Sequence, residues 1–284
     1  MTAPILVTGA STGIGLAIVN ELLAAGFEVL AAVRREEDRL RLEALDPRCT
    51  GLLLDVAVPE DRERVACALA YEFVGRGLGG VVHNAGIAIF QPVEALDDDL
   101  LQQQFAVNVF GAVALTRLLL PLLREGRGRV VHISSLAGNL SQPYFGAYAA
   151  SKWALEAFSD ALRLELAPQG VRVVCVQPGA IATPIWEKSL EQSRSRHVAM
   201  PGALRDLYGA DLDRLAQGAE LLGARGIPAA RVARVVRQVF KARHPATRYR
   251  VGPDARLGPW LRVLPDSWRD ALLRRVLGLG GFRS

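Results

Sequence analysis

Residues 8–15 read Thr8-Gly-Ala-Ser-Thr-Gly-Ile-Gly15 and come directly after a short apolar run at residues 5–7. A helical pattern of apolar residues begins within the same segment, so the order is strand, glycine-rich turn, helix. The three glycines permit a tight turn and a close approach of the backbone to a pyrophosphate, and the helix N-terminus offers N–H groups to an anion. Because no Gly-Lys-Ser/Thr follows, the segment favours a dinucleotide site over a Walker loop.

Strand-like apolar runs alternate with helical patterns along the rest of the chain. Strands are expected at residues 5–7, 27–33, 51–54, 81–82, 129–133, 171–176 and 247–251, and helices at 14–25, 36–45, 59–75, 100–123, 147–167 and 228–242. Strands that are apolar throughout are typical of a parallel sheet covered by helices on both faces. The sequence therefore predicts an α/β fold, a doubly wound parallel sheet of the Rossmann type with a C-terminal helical extension.

The length of 284 residues suits one large catalytic domain, which we expect over residues 1–253. The long mixed stretch at about 185–226 is predicted to be an insertion that forms a lid over the substrate. Residues 254–284 are predicted to form a separate amphipathic extension. Charge is uneven, because residues 225–284 carry 14 Lys and Arg against 3 Asp and Glu.

The N-terminal residues lack the basic flank, apolar core and cleavage site of a signal peptide. No uninterrupted apolar run approaches the roughly 20 residues of a membrane-spanning helix. Three cysteines lie far apart, without metal-like spacing, and are expected to be reduced core thiols. These features predict a cytoplasmic protein, and no cluster of His, Cys and acidic residues suggests a metal site.

The end of the second expected strand carries the signal for the choice of cofactor. Where a fold that binds NAD usually places an acid for the ribose hydroxyls, this chain has Val33 followed by Arg34 and Arg35. A guanidinium can pair with a 2′-phosphate that an acid would repel, so the sequence favours NADP over NAD. Glu36 and Glu37 come only slightly later, which keeps NAD open as the alternative.

Tyr148 and Lys152 open a helical stretch and, being four residues apart, share one face of that helix. A cation beside a phenol favours the phenolate, so the pair could exchange a proton near neutral pH. Ser134 and Ser135 end the fifth expected strand, at the sheet edge where open α/β folds bind ligands. Asn108 lies within a helical pattern, where an amide is a poor helix former and points to a capping bond or a water site.

These motifs appear in a fixed order with characteristic intervals. They are Thr8-Gly-x-x-x-Gly-x-Gly15, Asn84-Ala85-Gly86, Asn108, Ser135, Tyr148-x-x-x-Lys152 and Pro178-Gly179. Over about residues 4–184 the chain resembles the short-chain dehydrogenase/reductase family, and more loosely its hydroxysteroid and retinol dehydrogenase-like branch. The resemblance implies that Tyr148 transfers the substrate proton, that Lys152 lowers its pKa, that Ser135 orients the carbonyl and that Asn108 anchors a water relay.

The glycine-rich turn and the resemblance together give the expected cofactor contacts, with His83 standing where the family often has a second Asn. From the turn and the second strand they are Gly9, Ser11, Thr12, Gly13, Ile14, Gly15, Arg34 and Arg35. By resemblance they are Asp55 and Val56 at the adenine, Asn84, Ala85 and Gly86 at the adenosine ribose, and Lys152 at the nicotinamide ribose, with Tyr148 counted among the contacts. The loop of Pro178, Gly179 and Ile181 faces the nicotinamide, and Thr183 meets the phosphate or the amide.

The expected substrate is a small lipophilic ketone or secondary alcohol, because the segments near the site are mostly apolar. The walls are expected from Leu136, Leu140, Pro143, Tyr144 and Phe145, and from Ile185, Trp186, Leu190, Met200, Leu204 and Tyr208 of the insertion. Core packing is an equally good interpretation of these residues. The alternative functions are an NAD-dependent alcohol dehydrogenase, a reductase of carrier-bound acyl thioesters, and a cofactor-sensing regulator without catalysis.

The C-terminal extension shows an amphipathic stripe that Pro265 interrupts. Its apolar members are Leu257, Leu261, Leu264, Trp268, Leu272 and Val276, with arginines between them. The stripe could lie on a membrane surface as a peripheral contact, but three aspartates in the segment favour packing on protein. We expect a homo-oligomer, a dimer or tetramer, and no nucleic-acid partner, because no recognisable binding module accompanies the basic residues.

Overall fold

A computed structural model describes residues 3–183 and 185–279, without the side chains of residues 185–188 and 219–225. The strands within this part are β1 (Ile5–Thr8), β2 (Val29–Val33), β3 (Cys49–Leu53), β4 (Gly80–His83), β5 (Arg129–Ile133), β6 (Arg172–Pro178), β7 (Ile181–Ala182), β8 (Ile227–Pro228) and β9 (Arg248–Val251). The helices are α1 (Gly13–Ala24), α2 (Glu36–Glu43), α3 (Pro59–Glu72), α4 (Asp98–Phe105), α5 (Gly111–Glu125), α6 (Gly146–Leu166), α7 (Ile185–Ala199), α8 (Gly202–Arg225), α9 (Ala229–Lys241), α10 (Pro253–Leu257) and α11 (Asp266–Val276).

Seven of the strands pair in parallel to form one sheet in the order β3-β2-β1-β4-β5-β6-β9. The order reverses direction at β1, where the chain crosses from one half of the sheet to the other. This arrangement confirms the doubly wound Rossmann-type sheet that the sequence predicts, and it places the ligand crevice beyond the carboxyl ends of the central strands.

Alternate residues of each strand serve two separate cores, which is why the strands are apolar on both faces. On one face, Ile5 and Val7 pack with side chains of α1 and α9. On the other face, Leu6 packs with side chains of α3 and α5, and Leu166 of α6 joins the same cluster. Helices therefore cover both faces of the sheet, and the carboxyl ends of its strands are left for binding a ligand.

The stretch expected as a mixed insertion contains two helices that the sequence reading leaves undivided. α7 and α8 are separated near Met200 and Pro201, and they lie between the short strands β7 and β8. These two strands pair in parallel, with Ile181 opposite Ile227. The two ends of the insertion therefore lie side by side at its base. Its role as a lid, like the domain boundaries, stays a prediction.

The helix expected at 100–123 is instead interrupted in its middle. α4 and α5 join through a π-helical turn at Ala106–Phe110, and the continuous helical segment runs from Asp98 to Glu125. By length and composition this segment would suffice to cross a membrane, although the sequence analysis expects no such helix. Half of its most apolar stretch is buried inside the protein.

The C-terminal segment begins on the sheet and ends with much of its apolar stripe uncovered. Ala255 of α10 is buried, whereas Leu257, Trp268 and Val276 are exposed, and Trp260 in the following 3₁₀ turn is 71% exposed. Exposed large apolar side chains in one segment are typical of a surface that binds something else. Packing of this stripe on a second subunit stays a prediction, as does membrane contact.

Candidate active site

The carboxyl ends of β1, β4, β5 and β6 meet along one edge of the sheet, and the loops that follow them carry the predicted site residues. The glycine-rich turn follows β1, Asn84 follows β4, Ser135 follows β5, and Gly179 follows β6. The first turns of α6, with Tyr148 and Lys152, approach the same edge. Positions spread over more than 170 residues of sequence are therefore neighbours in space.

Asn84 ties the glycine-rich turn to the sheet. Its Nδ2 atom donates to the carbonyl oxygens of Thr8 at 3.1 Å and Gly9 at 2.9 Å. The Thr8 hydroxyl accepts from the backbone N–H groups of Asn84 and Ala85, both at 3.1 Å. The turn that leads into α1 is thereby fixed by the side chains of Thr8, at the end of β1, and of Asn84, directly after β4.

Two glycines of this turn are required by close contacts. Gly9 has a φ of +64°, and a Cβ atom there would lie 2.8 Å from the Cα atom of Ala85. A Cβ atom at Gly15 would overlap the carbonyl of Gly9, so only glycine lets α1 start this close to β1. The result is a cradle of bare backbone at a helix N-terminus, where Ser11 is half-buried and Thr12 exposed.

Ser135 and Tyr148 form the polar centre of the site. The Ser135 hydroxyl accepts from the backbone N–H of Ala137 at 3.1 Å, which fixes the serine at the end of β5. Burial raises the pKa of the Tyr148 phenol, and a hydrogen bond with Ser135 acts in the opposite direction. At neutral pH the Tyr148 phenol is therefore protonated and can donate a proton.

Lys152 lies one helical turn beyond Tyr148 and is almost fully buried. Its Nζ atom donates to the carbonyl oxygen of Ile133 at 2.9 Å and lies 5.7 Å from the centre of the Tyr148 ring. Burial lowers the pKa of the Lys152 ammonium to about 8, while the carboxylate of Glu156 acts to raise it. The lysine is thus held behind the phenol and between the strand ends.

Asn108 occupies the π-helical turn, which explains the amide in a helical pattern. Its Nδ2 atom donates to the carbonyl oxygen of Ile87 and to the Ser151 hydroxyl, each at 3.0 Å. Its Oδ1 atom accepts from the N–H of Ile87 at 2.9 Å, and Ser151 in turn donates to the carbonyl oxygen of Tyr148 at 2.7 Å. π-turns occur frequently at functional sites, and this one joins the loop after β4 to the helix that carries Tyr148.

Behind Lys152 lies a buried polar cluster that the sequence analysis does not identify. Glu156 accepts from the Gln177 side chain at 2.9 Å and from the Arg248 Nε atom at 3.0 Å. Arg248 also pairs with Asp160 at 2.7 Å. Glu156 comes four residues after Lys152, so the continued helical spacing was the available signal.

The arginines expected to recognise a 2′-phosphate lie next to the glycine-rich turn. Arg34 is exposed, with its Nη1 atom 4.0 Å from Asp55, and Arg35 pairs with Asp38 at 3.0 Å. A third arginine was not predicted: Arg41 of α2 pairs with Asp38 at 2.7 Å and donates to the carbonyl oxygen of Ser11 at 2.8 Å. Three guanidinium groups therefore surround this corner of the site.

The acid among them stays charged. Burial would raise the pKa of Asp38, but hydrogen bonds from Arg41 and Arg35 outweigh it and hold the pKa below its ordinary value. Asp38 thus orients two guanidinium groups at the edge of the turn.

Asp55 and Val56, the residues expected at the adenine, differ from each other in their surroundings. The Oδ1 atom of Asp55 accepts from the N–H of Ala57 at 2.9 Å, which leaves Oδ2 toward Arg34. The Val56 side chain belongs to the core cluster on the α3 and α5 face, and its carbonyl lies against Gly111. Gly86 lies beside both Asn108 and Lys152, because a Cβ atom there would be 3.4 Å and 3.8 Å from their polar atoms.

The loop at residues 178–183 leaves β6 and enters β7. Pro178 pairs with Val251 of β9, and Ile181 is buried in the ladder with β8. Within the part of the chain that the structure describes, Thr183 makes a long hydrogen bond to the carbonyl oxygen of Ile181, at 3.5 Å. The side chains of Ile185 and Trp186, expected to line a pocket, lie outside the described residues.

Apolar and aromatic side chains connect the insertion to Tyr148. The Ser193 hydroxyl of α7 donates to the carbonyl oxygen of Phe90 at 3.2 Å. The ring of Phe90 lies 3.6 Å from that of Phe145, which in turn lies 6.1 Å from the ring of Tyr148. Of the expected walls, Leu140, Leu190 and Met200 are buried, and Leu136, Pro143, Tyr144, Phe145, Leu204 and Tyr208 are half-buried.

Comparison with known proteins agrees with this geometry. A family model described as short chain dehydrogenase matches residues 3–194, which is more than half of the chain. A short-chain dehydrogenase structure from Streptomyces avermitilis superposes with a TM-score of 0.77 at 30% identity, covering 98% of this chain and 97% of the other. The chain belongs to the short-chain dehydrogenase family and is an oxidoreductase, as the order of its motifs predicts.

Named relatives extend over nearly the whole chain. The NADPH-dependent 3-dehydrocapnine reductase of Ornithobacterium rhinotracheale is 37% identical and covers 96% of both chains. Retinol dehydrogenase 5 of Mus musculus is 36% identical over 96% of this chain and 88% of its own. The 17-beta-hydroxysteroid dehydrogenase type 2 of Homo sapiens is 33% identical over 96% and 73%. The predicted likeness to the hydroxysteroid and retinol dehydrogenase branch is confirmed.

Proposed function

We propose that the protein is an NADP(H)-dependent oxidoreductase that transfers hydride between nicotinamide and a carbonyl or secondary alcohol carbon of a lipophilic substrate. The observation that carries the proposal is the convergence of Ser135, Tyr148 and Lys152 at the sheet edge beside the glycine-rich cradle. Two hydroxyl groups with a buried ammonium behind them suit proton transfer to a carbonyl oxygen.

The cradle fits a dinucleotide. Gly9 and Gly15 let α1 begin directly beside the end of β1. The N-terminus of α1 then offers backbone N–H groups and the helix dipole, which favour an anion such as a pyrophosphate. The dinucleotide, when bound, supplies or accepts the hydride. The protein's own part is to hold that group and to manage the proton and charge on the substrate oxygen.

The proton step belongs to Tyr148. During reduction its phenol donates a proton to the developing alkoxide, while the Ser135 hydroxyl stabilises the same oxygen by a hydrogen bond. Lys152 stabilises the phenolate that results, since its ammonium lies behind the ring. Oxidation of an alcohol would use the same groups with the proton moving in the reverse direction.

The arginine corner supports NADP over NAD. Val33 offers no carboxylate to the ribose hydroxyls, and the exposed guanidinium of Arg34 that follows it is a group that pairs well with a 2′-phosphate. The NADPH-dependent relative points the same way. The ratio of kcat/KM with NADPH and NADH tests this assignment, and a preference for NADH would reject it.

Two substitutions separate attraction from repulsion at this corner. Arg34→Ala should weaken NADPH binding about tenfold or more and leave NADH nearly unchanged, because only NADPH carries the 2′-phosphate. Val33→Asp should shift preference toward NADH by giving the ribose an acceptor and the phosphate a repulsive charge. Equal weakening of both cofactors by the arginine variant would assign Arg34 another role.

The lipophilic substrate is supported by the apolar character of the segments expected to line the site, of which Leu140, Leu190 and Met200 are buried. Such walls reward burial of hydrocarbon, by roughly 25 cal/mol for each Å² removed from water. Relatives named for retinol and hydroxysteroid oxidation support the same class. A screen that follows NADPH oxidation with steroids, retinoids, acyl thioesters and sugars tests it, and activity with sugars alone would overturn the class.

A further inference from the structure

The carboxylate of Asp254 lies directly on the loop that follows β6. Its Oδ2 atom accepts a hydrogen bond from the backbone N–H of Ala180 at 2.6 Å. A Cβ atom added at Gly179 would overlap both oxygens of the same carboxylate, so the side chain fills the space that a larger residue at 179 would need. One acid from the C-terminal segment therefore occupies the outer side of this turn.

The route by which Asp254 reaches the loop is built into the backbone. β9 pairs with the end of β6, and the N–H of Gly179 donates to the carbonyl oxygen of Val251 at 3.0 Å. Gly252 then turns the chain with a φ of +119°, a conformation that favours glycine, and α10 starts at the next residue. Strand β9, the turn at Gly252 and the first turn of α10 together position the Asp254 carboxylate against the loop.

The same segment touches two other loops of the site. A Cβ atom at Gly258 would overlap the side chain of Leu136, the residue after Ser135. The guanidinium of Arg262 lies 4.5 Å from the centre of the Trp153 ring, next to Lys152 in sequence. Residues 252–262, which we call the brace, therefore contact the neighbours of two predicted catalytic residues as well as the loop after β6.

We propose that Asp254 is a positioning residue that holds the loop at residues 178–183 in the conformation that receives the nicotinamide end of the cofactor. The proposal rests on the proposed function, because it needs a dinucleotide at this edge of the sheet. Asp254 acts through Gly179 and Ala180 and touches no reacting atom. A hydrogen bond to an ionised acceptor is among the stronger kinds in proteins, so its loss should be measurable.

Amide hydrogen exchange on the cofactor-free protein tests the brace without any reaction. In Asp254→Ala the peptide that covers residues 178–183 should exchange at least about tenfold faster, as expected for loss of a charge-assisted hydrogen bond. The affinity for NADPH, measured by fluorescence, should fall by a similar factor, and KM for the cofactor should change more than kcat. Asp254→Asn keeps an acceptor oxygen and should recover most of both effects.

The matched control is Asp266→Ala. Asp266 is an acid of the same C-terminal segment, 84% exposed and paired only with Arg269 among the described residues, so its loss makes the same charge change away from the loop. It should leave exchange and affinity unchanged. If Asp254→Ala proves poorly folded, Gly179→Ala provides a second approach. Its added methyl group must push the Asp254 carboxylate away from the loop, although residue 254 itself remains an aspartate.

The outcomes separate the two proposals. Unchanged exchange and unchanged NADPH affinity in both Asp254→Ala and Gly179→Ala would overturn the role of Asp254, while turnover by the parent protein would still support the proposed function. Faster loop exchange in a protein whose parent binds neither NADPH nor NADH would keep the structural brace and reject its link to cofactor. Equal effects of Asp254→Ala and Asp266→Ala would show that the change in net charge causes them, and would overturn the positioning role of Asp254.

Discussion

Tyr148 is buried enough that its ordinary state is the neutral phenol, with Ser135 as its hydrogen-bond partner. Replacing it by Phe removes the transferable proton and leaves the ring contacts with Phe145. We expect Tyr148→Phe to lower kcat by about 10²–10⁴-fold, the usual range for loss of a general acid. NADPH affinity, measured by fluorescence titration, should stay within about twofold, and comparable turnover in the mutant would reject the mechanism.

The lowered pKa of Lys152, about 8, should make cofactor binding depend on pH. Its ammonium is charged below that value and loses the charge as the pH rises through it. If the ammonium binds the nicotinamide ribose, NADPH affinity should be full below about pH 8 and should weaken above it, by about tenfold for a charged hydrogen bond. Titrations of NADPH binding between pH 6.5 and 10 would measure this.

Glu156 should set where that loss begins. Its carboxylate acts to raise the pKa of Lys152, so Glu156→Gln should move the weakening of NADPH binding to lower pH. Glu165→Gln is the matched control, because Glu165 is an exposed acid on the same helix α6. A pH profile that is unchanged in Glu156→Gln would show that the buried carboxylate serves only Arg248 and Gln177.

At the scale of elements, two tyrosines whose rings meet edge to face join helix α8 of the insertion to the loops that follow β4 and β5. Tyr144 donates to Asp211 of α8 at 3.0 Å, and Tyr208 of α8 donates to Glu94 at 2.6 Å. Burial and the Asp211 hydrogen bond raise the pKa of Tyr144 to about 12, so it remains a donor at neutral pH. Tyr144 also has a φ of +65°, a strained value for a side chain of this size.

The pair of tyrosines should govern substrate more than cofactor. We expect Tyr144→Phe with Tyr208→Phe to raise KM for the substrate about five- to tenfold or more, because both hydrogen bonds to carboxylates are lost, with little change in NADPH affinity. Tyr71→Phe, at a position 89% exposed on α3, is the control. A double variant with unchanged substrate KM would mean that α8 does not cover the site.

The sequence predicts the elements of the sheet well, because strands buried on both faces are mostly apolar: β2 is apolar throughout, and β5 has Val130, Val131 and Ile133 around a buried histidine. It misses the division of the insertion into α7 and α8, whose mixed charged and apolar residues carry a weak helical period. It also reads the helix around Asn108 as continuous, since a π-turn adds one residue without breaking the apolar pattern. The motif residues were found because their local spacing is fixed.

Residues that act across the fold were not predictable in the same way. Asp254 meets Ala180 only because β9 lies beside β6, and Arg41 meets Ser11 only because α2 returns beside the turn. Neither contact leaves a local pattern in the sequence. Knowledge of the strand order was needed before either residue could be assigned to the site.

For the molecule as a whole, two buried histidines should set the acid limit of stability. His83 of β4 and His132 of β5 stack with ring centres 5.1 Å apart, and hydrogen bonds join them to Thr116 and Ser159. Burial lowers the pKa of His132 to about 3 and that of His83 well below its ordinary 6.5. Both imidazoles are therefore neutral in the folded protein throughout the mildly acidic range.

The unfolded chain takes up protons on both rings below about pH 6.5, whereas the folded chain does not. Stability should therefore fall as the pH drops from 6.5 toward 5, by up to about 1.4 kcal/mol per pH unit for each ring. Urea unfolding at several pH values would measure the slope. Replacing both histidines by Gln should flatten it, and replacing exposed His244 should not. An unchanged slope in the double variant would assign acid sensitivity to other groups.

The pairing of β7 with β8 bears on how such a protein could diversify. Since Ile181 and Ile227 are partners in neighbouring strands, the chain leaves and re-enters at points only about 5 Å apart. A segment that begins and ends at neighbouring points can be lengthened, shortened or exchanged without a change in the position of the rest of the chain. New substrate preferences could therefore evolve by replacing residues 183–226 in one recombination event, while the chemistry beside them is inherited intact.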